Sequence, residues 1–485
     1  MYIEEKPRQI SLILSASLAG FMSLLDGNIV NISLPYIARS FDVGTGSVVQ
    51  LVLVYMLVLV GTMIIFGKLA DQYGVRRIFI SGFVTFTLFS LLCGLSTTLP
   101  MLVLFRSAQA IGASMLMATA VSLIPKFIPK DRLGWAFGIF SPVVSLGLLV
   151  GNPLGGLITG LLNWHWIFLI NVPVGIIAVI SATRSIPDDR PEGNASQMKG
   201  RFDFKGSVLI FTGLALLVFC LNTGQKLGWS NVYILGGIIL AILLLVAFVF
   251  VEKRSVNPIL DMGIFSDRNF SLSLLASFAG FGLMAGSSVM MPFYLTYILK
   301  IDVEHAGFIL MTFAVIFSAL SPMSGNLSDH YRKTRLSSGG MMLAILACLF
   351  FILCLPLARL WIVFAMLVLL GIGYAFFITP NNNLVMSLAD PKKQSISASV
   401  FKLSTNLGQM IGVLFMEIMF VLSMPAGFHA DGSMVHKLQI STLTEGFQWA
   451  YGGGLLLCLA SLALMLVIKE KPGKTNVPDE PSTLL

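Results

Sequence analysis

Residues 67–77 read GKLADQYGVRR, and residues 325–335 read GNLSDHYRKTR. Five of the eleven positions coincide: Gly67 with Gly325, Leu69 with Leu327, Asp71 with Asp329, Tyr73 with Tyr331 and Arg77 with Arg335. Each peptide is flanked by long apolar runs, so each reads as a connection between two membrane spans. Around the first copy, runs long enough to cross about 30 Å of hydrocarbon lie at residues 10–36, 48–69, 78–97, 99–124, 134–160, 165–183, 206–224 and 231–251. Six more follow at 270–298, 305–325, 337–356, 359–386, 396–424 and 446–468. Eight spans separate the copies, which puts both on the same side of the membrane in the same orientation, the pattern of a parallel repeat. The sequence predicts an all-α polytopic membrane protein with 14 transmembrane helices, built from two similar bundles.

Composition supports this reading. The 485 residues are 56% hydrophobic and 11% charged, against the roughly 25–35% charge that a soluble surface carries. Backbone groups in lipid must be satisfied within the segment, and runs this long and uniform satisfy them as helices, not as alternating barrel strands. The net charge of +8 sits in short clusters between apolar runs. With no continuous basic face, nucleic acid is not an expected partner.

Charge also sets the orientation. Of the 31 Lys and Arg, 24 fall in the N-terminal tail, the connections after even-numbered spans and the C-terminal tail. Only Arg39, Lys226, Lys300, Arg359 and Lys437 fall in connections on the other side. The positive-inside rule then places both termini in the cytoplasm, as expected of a multi-pass inner-membrane protein. The apolar stretch near the N-terminus runs on past Ala19 without a cleavage site and is expected to stay as the first helix. The expected domains are a six-helix bundle at 1–184, a cytoplasmic linker at 185–205, an inserted helix pair at 206–251, a second six-helix bundle at 252–468 and a disordered tail at 469–485.

Within the repeated loops, Gly67 is suited to close packing at a helix end, and Asp71 can offer its charge to a neighbouring helix N-terminus or an arginine. Arg76 and Arg77 can anchor to headgroups. Recurrence of the pattern at Asp329 and Arg335 favours a gating contact over ordinary positive-inside charge. The five cysteines lie inside apolar runs, the histidines form no ligand motif, and no phosphate-binding loop is present. Neither metal, cofactor, nucleotide nor enzymatic chemistry is expected.

Charges within spans are costly and therefore informative, at roughly 2.5 kcal/mol or more each. Glu417 sits in LGQMIGVLFMEIMFVLSM, far from any basic neighbour in sequence. It is either a proton-exchanging carboxylate or a hydrogen-bonded structural one. Lys402, earlier in the same span, is expected to snorkel to the cytoplasmic face. Asn381 and Asn382, followed by Asn383 and preceded by Pro380, suggest a cavity lining or a discontinuous helix. Met284, Met290, Met291, Phe293 and Tyr294 suit either an adaptable apolar pocket or lipid-facing packing.

Four stretches resemble the major facilitator superfamily, and within it the fourteen-helix drug:proton antiporters. GKLADQYGVRR is similar to the family's GxLaDrxGrkx loop, with Gln72 and Val75 departing from it. LDGNIVNISLP (25–35) resembles LDxTIVNVALP; RSAQAIGAS (106–114) matches the family's span 4 with Ala110 for a common Gly; WHWIFLINVPVG (164–175) resembles WRWIFLINVPIG with His165 for Arg. The span 5 antiporter signature gxxxGPxxGG is met loosely by GLLVGNPLGG: Gly147, Gly151, Gly155 and Gly156 keep the spacing, Asn152 takes the usual proline position, and Pro153 comes one place late.

The resemblance implies a major facilitator fold, two six-helix bundles plus the inserted pair, working by alternating access; a monomer is expected because the two repeated bundles can enclose a pathway within one chain. It implies exchange of small amphipathic compounds, cationic ones included, for protons, driven by the proton gradient with no cofactor, in contact with membrane lipid. On this resemblance Asp26 is the acidic position of span 1, flanked by Asn28 and Asn31. Arg106, with Gln109 one turn on, is the arginine that influences proton transfer. Export of an endogenous lipid, siderophore or metabolite is the alternative, because an apolar pocket with one or two carboxylates does not separate a native amphiphile from a drug.

Overall fold

The computed structural model describes residues 3–189, 204–228, 230–254, 262–389, 394–424 and 440–469. Most of the expected linker and nearly all of the expected tail lie outside the described residues. The first bundle comprises α1 (Lys6–Ser40), α2 (Gln50–Tyr73), α3 (Val75–Gly94), α4 (Leu99–Phe127), α5 (Leu133–Leu161) and α6 (Asn171–Ser185). One-turn segments, Thr45–Val48 and Trp166–Leu169, lead into α2 and α6. The inserted pair is α7 (Phe204–Leu227) and α8 (Val232–Arg254). The second bundle comprises α9 (Arg268–Tyr297), α10 (Val303–His330), α11 (Lys333–Cys354), α12 (Leu360–Leu388), α13 (Gln394–Leu422) and α14 (Ile440–Val467). The described residues form 14 helices long and apolar enough to cross a membrane, and no strand. The chain is a polytopic inner-membrane protein with cytoplasmic termini.

Local chemistry sets several helix ends. Thr98 accepts from the Met101 N–H at 3.4 Å and caps α4, and Asp267 accepts from the Phe270 N–H at 3.0 Å and caps α9. Gly74 has φ of +95°, a conformation that side-chain-bearing residues rarely adopt, and there the chain breaks between α2 and α3.

Lipid tails are as apolar as leucine, so helix association here rests on close backbone packing. Small residues supply it in both bundles. A Cβ on Gly147 would lie 2.5 Å from the Phe21 carbonyl oxygen, and one on Gly151 would lie 2.6 Å from the Asn28 Cβ. Together with Gly155 against Ile29 and Ile32, these glycines form one stripe at i, i+4, i+8 that seats α5 on α1. In the second bundle Gly282 meets Gly412, which seats α9 on α13, the equivalent pair eight spans on.

The two bundles join chiefly through α5 and α10, α1 and α9, and α2 and α13. Buried positions of α5 concentrate between Gly147 and Thr159, and those of α10 between Val303 and Ala314. Both stretches are the external halves of their helices; the cytoplasmic halves are largely uncovered. This is an inward-facing arrangement, sealed outside by Gly156 against the Val303 carbonyl and Gly307 against that of Asn152. Helix α7 packs on both α2 and α13, with Phe211 covering Gly61 and Gln50 donating to Asn222 Oδ1 at 2.6 Å. It therefore touches both bundles, while α8 turns apolar side chains such as Leu243 and Phe250 outward toward lipid.

The expected discontinuity near Asn381 is not seen. Helix α12 runs unbroken through Pro380, and the asparagines serve packing: Asn381 donates to Ser277 Oγ at 2.7 Å and Asn383 to Ser328 Oγ at 2.6 Å. Such interhelical hydrogen bonds hold α12 to α9 and α10. Asn382 is half-buried beside them and, like Asn381, is not among the residues bordering the central cavity described below.

Candidate functional site: a buried ion cluster beside a central cavity

Asp26 and Arg106 stand 80 positions apart in the chain but form a direct ion pair, Nη1 to Oδ2 at 2.5 Å. The same guanidinium nitrogen donates to Gln109 Oε1 at 2.6 Å. The Gln109 amide then donates to Ser90 Oγ at 2.5 Å and to Asp26 Oδ1 at 3.3 Å, and Asn171 donates to Asp26 Oδ1 at 3.0 Å. Helices α1, α4 and α6 of the first bundle thus meet at one carboxylate, and α3 joins the cluster through Ser90 and Gln109. The Tyr55 ring from α2 lies against the guanidinium, 4.0 Å from its centroid. Asp26 and Arg106 are only 1% and 2% exposed. Burying a charge is tolerated when it is paired and its remaining lone pairs and protons are hydrogen-bonded, and this cluster largely meets that condition.

Between the bundles lies a cavity of about 330 Å³, bordered by residues of α1, α2, α4 and α5 on one side and α9, α10, α12 and α13 on the other. On α1 the helix turns one face to it, with Ser23, Gly27, Asn28 and Asn31, while Asp26 points into the bundle. Asn31 also donates to Ser288 Oγ across the bundle interface at 3.2 Å. Asn152, the departure from the span 5 signature, borders the cavity from α5, and Pro153 beside it is buried. The opposite wall carries Phe313 and Phe317, whose rings stack with centroids 6.0 Å apart, together with Tyr374. Of the expected methionine and aromatic group, Met284 and Met291 line the cavity, while Phe293 and Tyr294 are packed inside the second bundle.

Lys402 departs from its expected position. It borders the cavity together with Asn406 and Gln409, one and two turns further along the same face of α13. It is eight residues inside the helix, about 12 Å from its start, and faces the opposite bundle rather than the membrane surface. Among the described lining residues it is the one charged side chain, and no aspartate or glutamate is included. Glu417 is fully buried nearer the external end of α13, fifteen residues or about 22 Å along the helix from Lys402, and does not border the cavity.

At the cytoplasmic face, Gly67 lies inside α2, and a Cβ there would meet nothing within 4 Å, so the expected close packing is absent in this arrangement. The Asp71 side chain lies outside the described residues. The N-terminus of α3, a neighbouring helix N-terminus of the kind expected to receive such a charge, is capped by Asp189, which accepts from the Val75 N–H at 2.7 Å, the Arg76 N–H at 3.2 Å and Lys126 Nζ at 2.6 Å. Arg76 donates to the Thr183 carbonyl at 2.8 Å, and Arg77 is exposed. In the second copy Asp329 and Arg335 are both exposed.

Sequence reading marked Asp26 and, apart from it, Arg106 together with Gln109, and missed Asn171, Ser90, Tyr55, Asn406, Gln409 and Asp189. A signal existed for Asn171, a lone amide within the apolar stretch FLINVPVG.

The chain is 32% identical to the riboflavin transporter RibZ of Clostridioides difficile (strain 630) over 405 residues, covering 83% of this chain and 86% of that protein. It is 30% identical to multidrug resistance protein 3 of Bacillus subtilis (strain 168), covering 74% and 69% respectively. Among solved structures it resembles a bacterial homolog of the human lysosomal transporter Spinster in an inward-facing, unoccupied conformation, with a TM-score of 0.69 and 17% identity over 97% of this chain and 100% of the other. It also resembles a peptide transporter POT in complex with sulfate, with a TM-score of 0.67 and 15% identity over 94% of each chain. At these identities the two structures speak for the fold. The model of the Major Facilitator Superfamily matches residues 16–225, 221–413 and 272–484. With its two repeated bundles, inward-facing cavity and inserted helix pair, the chain belongs to the Major Facilitator Superfamily and is a secondary-active transporter that works by alternating access.

Proposed function

We propose that this transporter exports a small amphipathic metabolite of the cell in exchange for protons, and that its substrate is neutral or anionic rather than cationic. One observation carries this reading: the cavity is walled by amides, aromatic rings and a lysine, while the nearby carboxylate is held by Arg106 inside the first bundle. A cationic drug would need that carboxylate, and reaching it would leave Arg106 buried without its partner. The similarity to a riboflavin transporter supports the same class, since a planar ring with a hydroxylated side chain calls for stacking surfaces and amide hydrogen bonds.

Coupling falls to Asp26 and Glu417, buried acids set apart from the substrate cavity. Protonation of Asp26 when the external side is open would loosen its hold on Arg106 and Asn171 and so shift α1 against α4 and α6. Tyr55 both borders the cavity and lies on the Arg106 guanidinium, which links substrate occupancy to that cluster. A ligand shifts such an equilibrium only through a difference in its affinity for the two states.

Relatives named for multidrug resistance, together with the Met and Phe wall, favour drug export as a second reading. Proteoliposome transport under an imposed pH gradient separates the two. Riboflavin and neutral or acidic aromatic amphiphiles are expected to accumulate, and tetraphenylphosphonium and ethidium are not. Accumulation of the cations alone would overturn the proposal.

A further inference from the structure

We infer that Lys402 receives an acidic group of the transported molecule, so that the substrate class is an aromatic or otherwise apolar organic anion; this rests on the reading that the substrate occupies the central cavity. Two cations lie deep within spans, and they are treated differently. Arg106 is met by a carboxylate at 2.5 Å and sealed from the cavity. Lys402 borders the cavity, and among the described residues no carboxylate comes within ion-pair distance of it. A lysine with only a structural role would be matched as Arg106 is, and a snorkelling one would sit at a helix end.

The hydrogen-bonding groups around it point the same way. The Asn406 side-chain N–H₂, one turn along the same face, is buried without a partner, and so is the Tyr55 hydroxyl on α2. Helices α2 and α13 pack directly on each other, so these groups border the same cavity from the two bundles where they meet. An ammonium has three donors and no acceptor, the amide nitrogen adds donors, and the hydroxyl can donate as well. A carboxylate is acceptor-only and satisfies such a surplus. An ammonium ligand would meet repulsion from Lys402 and leave those donors unmet. The stacked Phe313 and Phe317 then take the apolar part of the same molecule.

The test uses three probes with one ring system: 1-naphthaleneacetate, 1-naphthaleneacetamide and 2-(1-naphthyl)ethylammonium. Their equilibrium binding is measured to the full-length protein in phosphatidylcholine nanodiscs at pH 7.5, where no lipid carries a net anionic headgroup. The wild type is expected to bind the acid at least tenfold more tightly than the amide. The acid-to-amide ratio should fall below about twofold in Lys402→Gln and stay within threefold of wild type in Lys402→Arg. Should Lys402→Gln bind neither probe, the Arg variant decides: a retained ratio supports the inference, and a lost ratio overturns it. Equal binding of acid and amide by the wild type, a ratio that persists in Lys402→Gln, or no saturable binding of the acid would each overturn the inference. Equal acid and amide binding with the ammonium excluded would leave the broader functional reading standing, whereas preference for the ammonium would remove both.

Discussion

The two bundles share one repeated plan but handle their cations in opposite ways. The first encloses its charge: Asp26 is met by Arg106, Gln109 and Asn171 within one set of helices, and the cavity sees only the uncharged neighbours on α1. The second presents its cation to the cavity, with Lys402 on α13, and keeps Glu417 buried further along the same helix. Charge closed within a bundle is suited to responding to protons, and charge facing the cavity is suited to reading a substrate. Whether a charge is enclosed or presented to the cavity thus depends on which helix face carries the residue, not on the helix itself.

The largest effect is expected from breaking the enclosed pair. Arg106→Gln leaves Asp26 buried and uncompensated, a loss of about 3–5 kcal/mol, and should lower the melting temperature and yield sharply. The double variant Asp26→Asn with Arg106→Gln should regain much of that stability. A single Arg106→Gln variant as stable as wild type would remove the distinction between the bundles.

The next effect concerns the external seal. Gly156→Val places a side chain against the Val303 carbonyl and should cut transport at least tenfold, with cysteines near Val303 becoming more accessible from outside. Gly67→Ala, where a Cβ meets nothing within 4 Å in the inward-facing arrangement, should cost far less. Equal defects would show that the seal is not where the bundles are committed.

The smallest effect separates the repeated loops. Asp189→Asn weakens the charged cap of α3, worth about 1 kcal/mol, and should lower turnover a few-fold. Asp329→Asn, on an exposed residue, should stay within error of wild type. A larger defect from Asp329→Asn would mean that the second loop is engaged in the outward-facing state.

Much of this architecture is legible in the sequence because lipid imposes strict rules: uninterrupted apolar runs give the spans, and lysine and arginine placement gives their orientation. The repeat at residues 67–77 and 325–335 gives the two-bundle plan for the same reason, since both copies must face one side. The site is less legible because it depends on helix rotation. Asp26, Arg106 and Gln109 each stand out as polar residues in apolar runs, but their meeting depends on which faces of α1 and α4 oppose one another. Lys402 reads as a snorkelling residue until α13 is seen to turn that face toward the first bundle. Asn381 follows a proline and reads as a break, whereas α12 continues and uses the amide against Ser277. Asp189 sits among several charges of the linker, and nothing local marks it as the cap of a helix more than 110 positions earlier in the chain.

The most direct test of the account pairs two assays on the Asp26→Asn, Arg106→Gln double variant, using the compound that the wild type accumulates fastest. Equilibrium binding is measured in nanodiscs, and accumulation driven by a pH gradient is measured in proteoliposomes at matched protein levels. Binding within threefold of wild type together with loss of gradient-driven accumulation is the result expected of a cluster that couples protons without touching substrate. Loss of binding in a variant that remains folded, or full accumulation without the pair, would contradict it.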